Sequence, residues 1–267
     1  MSTSPSLRRG GFRPAFWPTV MALPAVLVML ALGTWQVQRL HWKTALIESR
    51  VARTTGPAVP FPFTAEGVDL KDLEFRRSRV TGRFDHDHEI HLLARSLTGG
   101  AGYQIITPLT VTQGPHAGTV VLVNRGWVPM ERRDPATRAA GQVSGEVTVE
   151  GVIRLPGVQH WMVPDNAPDR NVWFWTDLPA MVRSLGIAGP VAPVFLEAGP
   201  AANPGGLPVG GQTRIDLPND HLQYAITWYS LAVALAVIWF LYTRRAGKGQ
   251  TRRDRPSRLG SQEPGAP

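Results

Sequence analysis

The chain has 267 residues and no cysteine, which excludes disulfides, thiolate metal sites and cysteine nucleophiles. Its net charge of +8 does not mark a nucleic-acid binder, because the whole excess lies in two tails. Arg8, Arg9 and Arg13 precede Pro14 without an acid, and seven basic residues face only Asp254 and Glu263 after Thr243; the stretch 39–221 holds 18 basic and 18 acidic residues.

Behind the basic tail 1–13 comes "PAFWPTVMALPAVLVMLALGTWQVQ" (14–38), 25 residues without a charge. A cleaved signal peptide is the simpler alternative, since basic residues precede the run and "ALG" (31–33) is a tolerable cleavage site. The run exceeds a signal's apolar region, and Pro18 and Pro24 are tolerable in a membrane helix, so it is read as a first span. At its end Trp35, Arg39 and Trp42 follow at i, i+4 and i+7, on one helical face. An aromatic belt with a snorkelling arginine is the plain reading of that face. Its other reading is a ligand wall, where an arginine suits carboxylates through paired hydrogen bonds.

Residues 39–221 read mainly as strands. "FRRSRVTGRF" (75–84) alternates apolar and polar residues, and "EIHLLAR" (89–95) follows the polar turn "DHDH" (85–88), so the two are expected to pair as a hairpin. "YQIITPLTV" (103–111) and "GTVVLVNRGWV" (118–128) form a second hairpin around "TQGPHA" (112–117), and "GEVTVEGVIRL" (145–155) is a fifth strand. A helix is expected at "TDLPAMVRSLG" (176–186), capped by Thr176 and stopped by Gly186, and a sixth strand at "PVFLEAG" (193–199). The Pro- and Gly-rich stretch 200–211 is a loop. Such a domain is a small antiparallel barrel or sandwich with one or two helices.

The run 222–243 is again free of charge, and its 22 residues make about 33 Å of helix, enough for a second span. Both tails are basic, so both termini are placed in the cytoplasm and 39–221 on the outer face. The fold class is therefore a membrane protein in which two transmembrane helices flank an extracytoplasmic, mainly antiparallel β (α+β) domain. The tail 244–267 is basic and Pro/Gly-rich and is expected to be disordered.

The second span opens with polar groups, "NDHLQYAITW" (219–228). Asp220 as a helix cap with Gln223 reaching back accounts for part of this. The other reading notes that His221, Tyr224, Ala225 and Trp228 share a face, where a half-buried planar ligand could sit and His221 could bind an iron. The histidines of "FDHDHEIH" (84–91) read as an exposed turn rather than a metal site. "NRGW" (124–127) places Arg125 and Trp127 at a strand end, with a surface arginine and a packed tryptophan as the plain alternatives. No nucleophile elbow, phosphate loop or zincin motif is present.

Taken together, "LGTWQVQRLHWK" (32–43), "VNRGWVP" (123–129), "NVWFWTDLP" (171–179) and "NDHLQYAITW" (219–228) resemble, in order, the Surfeit locus protein 1 family of cytochrome oxidase assembly factors. The resemblance implies a non-enzymatic role in building the haem a-containing catalytic subunit of a haem–copper terminal oxidase, with haem a bound in transit. It puts the family's motif histidine on His221 as the iron ligand. Tyr224, Trp228, Trp35 and Arg39 are the expected surroundings of the haem, and Arg125 and Trp127 the expected partner contacts. Haem A synthase and membrane lipid are further expected partners. The family often carries asparagine where this chain has Asp220, a carboxylate that would oppose haem propionates. The short basic N-terminus assigns the chain to a bacterial inner membrane. Alternatives are a cofactor-free docking scaffold, a membrane-anchored ligand sensor or adaptor, and a membrane-anchored hydrolase.

Overall fold

The computed structural model describes residues 16–215 and 217–253, the side chains of 246–253 excepted, so the expectations for 1–13 and 254–267 lie outside the described residues. The chain divides into two units, one containing residues up to Ala45 and from Pro218 onward, the other Leu46–Leu217.

The first unit is built on α1 (Phe16–Thr55) and, at the far end of the chain, α4 (His221–Arg253). Both helices are long and apolar enough to cross a membrane, with mean hydropathies of 1.9 and 1.8 over their best windows. Both also outrun the spans read from the sequence. α1 continues past Gln38 to Thr55 because "RLHWKTALIESRVAR" is rich in helix formers and the next glycine is Gly56. α4 continues past Thr243 to Arg253, which corrects the expectation of disorder for that part of the tail; no proline interrupts it before Pro256. The two helices pack through small residues: Gly33 on α1 and Ala225 and Ala232 on α4 are buried. A Cβ at Gly33 would stand 2.8 Å from the Tyr229 ring, so only glycine admits that ring.

The second unit is β-rich. Its strands are β1 (Arg77–Phe84), β2 (Ile90–Arg95), β3 (Ala101–Val111), β4 (Val120–Pro129), β5 (Glu146–Arg154) and β6 (Phe195–Ala198), with short helices α2 (Leu70–Leu73) and α3 (Leu178–Ser184). β1 pairs with β5, β5 with β6, β6 with β4, β4 with β3, and β3 returns to β1, so five strands close into a barrel. Every pairing is antiparallel except β4–β6. Of the two architectures left open by periodicity, the barrel is the one formed.

The expected hairpin of β1 with β2 does not form. β3 has 11 residues and serves both neighbours: its first half pairs with β2, and Leu109–Val111 pairs with the end of β1. The 3-10 turn His86–His88 carries the chain from one to the other, anchored where Asp85 N–H donates to Pro108 C=O. β3 and β4 are buried on both faces, which explains their nearly unbroken apolar sequence. Leu109, Val121, Val123, Ile153 and Leu196 fill the barrel, while Ile106, Leu122 and Phe195 point outward under Trp173 and the α3 residues Leu178 and Met181. The cap of α3 is Asp177, whose carboxylate accepts from Ala180 N–H at 3.0 Å. The expected cap, Thr176, instead holds Gly157 N–H through its hydroxyl. Gly186 ends the helix with φ +62°, as its sequence position implies.

Candidate functional site

His221 is the first residue of α4, and Asp220 precedes it with its C=O accepting from Tyr224 N–H. The imidazole is half-buried against α1, where its Nδ1 lies 2.7 Å from Gln36 Oε1. A carbonyl oxygen can only accept, so Nδ1 carries a proton, and in the neutral ring Nε2 keeps its lone pair. Among the described residues nothing hydrogen-bonds Nε2. A ligating histidine whose other nitrogen is held by an amide or carboxylate oxygen is the usual arrangement at metal and haem sites, because the bond fixes both tautomer and ring orientation. The donor set therefore fits an iron porphyrin.

Further polar contacts hold the same helix pair on either side of this bond. Asn219 Nδ2 donates to Thr44 Oγ1 at 3.2 Å, Thr34 Oγ1 and Tyr229 OH lie 3.1 Å apart, and Trp239 Nε1 donates to Thr19 Oγ1. Of the other residues on the predicted face, Ala225 is buried, Trp228 half-buried and Tyr224 56% exposed. Trp35 and Arg39 do not point at His221. They lie ~100° and ~60° around α1 from Gln36, at ~100° per residue, and are exposed, with the Arg39 guanidinium stacked 4.2 Å from the Trp42 ring. The α1 residue that meets His221 is Gln36, which sequence reasoning passed over. Its signal was its place three residues after Gly33, on the face that α4 approaches.

Arg125 and Trp127 both lie toward the end of β4. In the β3–β4 register Ile105 faces Gly126 and Ile106 faces Asn124, so Arg125 is the extra residue of a β-bulge. Its guanidinium is buried: Arg125 is 2% exposed, donates to Gly141 C=O and stacks 4.8 Å from Phe84. It is thus spent on holding the Pro135–Gly141 turn and does not face a partner. Burial, with repulsion from Arg138, pushes its pKa down to about 10 against the pull of Glu89. Gly126 completes the bulge at φ +126°, its α-carbon pressed against the Val209 carbonyl, a place no side chain could take. Trp127 is half-buried over Gly100 and Gly102 and exchanges both backbone hydrogen bonds with Val209.

The histidines of 84–91 go to separate partners. His86 Nε2 meets Val143 C=O at 2.9 Å, His88 Nδ1 meets Asp85, and His91 Nε2 donates to Glu89 Oε1 at 2.7 Å. Among the described residues no cluster suited to a metal ion forms. Glu89 and His91 belong to a buried network that also takes in Arg138, Arg133 and Asn171. Arg138 Nη2 donates to Glu89 Oε1, Arg133 Nε to His91 Nδ1 at 3.1 Å, and Asn171 Nδ2 to Glu89 C=O at 2.8 Å. The asparagine that opens "NVWFW" thereby locks this segment onto β2, with Trp173 buried beside it.

Comparison with known proteins places these features in a family. The sequence profile of the SURF1 family matches residues 23–233, which include Gly33, Gln36, the Arg125 bulge and His221. The chain is 40% identical over 224 residues to Surfeit locus protein 1 of Homo sapiens, covering 78% of this chain and 72% of the relative. The Xenopus tropicalis protein of that name is also 40% identical over 224 residues, covering 78% and 70%. A SURF1-like protein of Monosiga brevicollis is 36% identical over 273 residues, which is 97% of this chain and 99% of the relative.

Proposed function

Because the chain belongs to the SURF1 family, we propose that it is a non-enzymatic assembly factor of a haem–copper oxidase, and that His221 holds haem a before its insertion into the catalytic subunit. The observation that carries this reading is the His221 Nδ1 to Gln36 Oε1 hydrogen bond, which orients the ring and leaves Nε2 of the neutral imidazole as the ligating atom at the start of a membrane helix. When bound, haem a supplies the redox-active iron of the oxidase; this chain's part is to hold and release it. Ligation by one histidine suits release, since binding as tight as in a permanent cytochrome would oppose transfer. Trp228 and Tyr224 offer aromatic surface beside His221. Trp35 and Arg39 flank the site from α1, where Arg39 can reach a propionate only by leaving the Trp42 ring. Both termini face the cytoplasm of a bacterial cell in this reading, and the barrel, with the half-exposed edge of Trp127, docks on the oxidase subunit.

A reduced-minus-oxidised visible spectrum of the full chain, purified after co-expression with a haem A synthase, tests the proposal. The expected result is a haem a band in the parent chain that is lost in His221→Ala and shifted or weakened in Gln36→Leu. A band untouched in His221→Ala would move the ligand elsewhere. No band in the parent chain would leave a cofactor-free docking scaffold.

A further inference from the structure

The barrel's outer wall carries a cavity that the haem reading does not use. It measures about 490 Å³ and lies across the strands where β3, β4 and β6 pass side by side, closed at one end by the chain around Gln212 and Arg214. None of the described residues that line it is a histidine. Its floor is polar and built in: Asn124 and Glu197 face each other across the parallel β4–β6 pair, each 8% exposed. Asn124 Nδ2 donates to Gln104 Oε1 at 3.0 Å, which orients both amides.

Three guanidiniums surround that floor. Arg154 is already engaged, with Glu74 at 3.1 Å and Glu197 at 3.3 Å, and stacked on Phe75. Arg95 and Arg214 are not. Among the described residues Arg95 has no hydrogen-bond or ion-pair partner, and Arg214 donates only to Ser96 C=O, at 3.1 Å. The two stand as uncompensated positive charges over a hollow whose one carboxylate is taken up by Arg154. Both are exposed, so water solvates them, but both also line the half-enclosed polar cavity and are placed to reach an anion inside it. The volume falls within the ~300–1,000 Å³ of small-molecule sites. Guanidinium groups bind carboxylate and phosphate in pairs of parallel hydrogen bonds.

We propose that this cavity binds a small organic dianion, a dicarboxylate or a phosphate ester, through Arg95 and Arg214, with the Gln104 and Gln212 amides fixing its uncharged part. The site lies wholly within the β unit and does not depend on whether His221 holds haem. Glu197 opposes the anion by its charge, and burial raises that carboxyl's pKa against the opposing pull of Arg154 and the Thr213 hydrogen bond.

Isothermal titration of the full chain in detergent with succinate, with glycerol 3-phosphate and with NaCl of matched ionic strength tests this. The expected result is saturable binding of one of the two organic anions, with no saturation by NaCl. Arg95→Gln and Arg214→Gln each weaken it about tenfold or more, the scale of one hydrogen bond to a charged group. Arg183→Gln, on α3 and outside the cavity, leaves binding unchanged, and Glu197→Gln tightens it. Succinate binding without glycerol 3-phosphate binding, or the reverse, selects the head group. Binding of neither, equal response to NaCl, or equal loss in Arg183→Gln overturns the proposal.

Discussion

Replacing Glu89 by Gln removes one negative charge from a site that holds it by geometry. Glu89 Oε1 accepts from His91 Nε2 and from Arg138 Nη2, and the three side chains are 4%, 10% and 1% exposed. A hydrogen bond to a charged group contributes ~1.5–3 kcal/mol net, and stripping one partner from a buried ion pair costs ~3–5 kcal/mol. Glutamine keeps an acceptor oxygen but leaves Arg138 buried without its counter-charge, so the expected loss is about 3 kcal/mol at neutral pH. The pH dependence gives an independent check. Burial alone would raise the Glu89 carboxyl, but the hydrogen bonds from His91 and Arg138 outweigh it and hold the pKa below the usual value. A depressed carboxyl contributes stability above its unfolded pKa and loses it as pH falls through the folded one. The gap between Glu89→Gln and the parent chain should therefore narrow below the ordinary carboxylate range. Urea unfolding of the full chain in detergent, followed by tryptophan fluorescence at neutral and acidic pH, measures both. Arg138→Gln should cost less in the Glu89→Gln background than alone. A loss under ~1 kcal/mol at neutral pH, or additive single and double variants, would refute the reasoning.

Three further outcomes are expected. Gly126→Ala must place a methyl against the Val209 carbonyl at φ +126°, so it should destabilise the β unit by ~2 kcal/mol or more in the same unfolding assay. Gly33→Val should push Tyr229 away and loosen the helix pair. Since the chain has no cysteine, cysteines introduced at Thr44 and Asn219 report this directly, cross-linking readily in the parent chain and poorly in the variant. Asp177→Ala removes the α3 cap and should lower stability by ~1 kcal/mol; no change would return the capping role to Thr176.

What the sequence made legible follows from what is local. Period-two alternation placed β1 and β5 within two residues, because one face of each is wet; the paired tails and charge-free runs marked both membrane helices. Pairing was less accessible. β1 and β2 are adjacent in sequence and separated by a four-residue turn, yet β3 is long enough to take both, and nothing in the two strands themselves announces that. Arg125 follows Val121 and Val123 on the inward face of β4, yet an arginine at a strand end reads from the sequence as a surface residue, and the turn that buries it lies elsewhere in the chain. The site was half visible: His221 stood out as a polar group opening an apolar run. Gln36, by contrast, was hidden between Trp35 and Arg39, whose chemistry is louder but whose face is turned aside. A helix face can be read from one helix, but the angle at which a second helix meets it cannot.

The closed barrel also dictates an order of events as the chain is made. β6, only Phe195–Ala198, is the stave between β4 and β5, and it arrives more than forty residues after β5 ends. Until then β1 to β5 can form only an open sheet with β4 and β5 bare along one side, and such edges invite pairing with other chains. Any chain cut short of Ala198 would keep its first membrane helix and most of its strands and still lack a domain. The last stave is followed within 23 residues by His221, so by the time the second helix begins the barrel has everything it needs to shut.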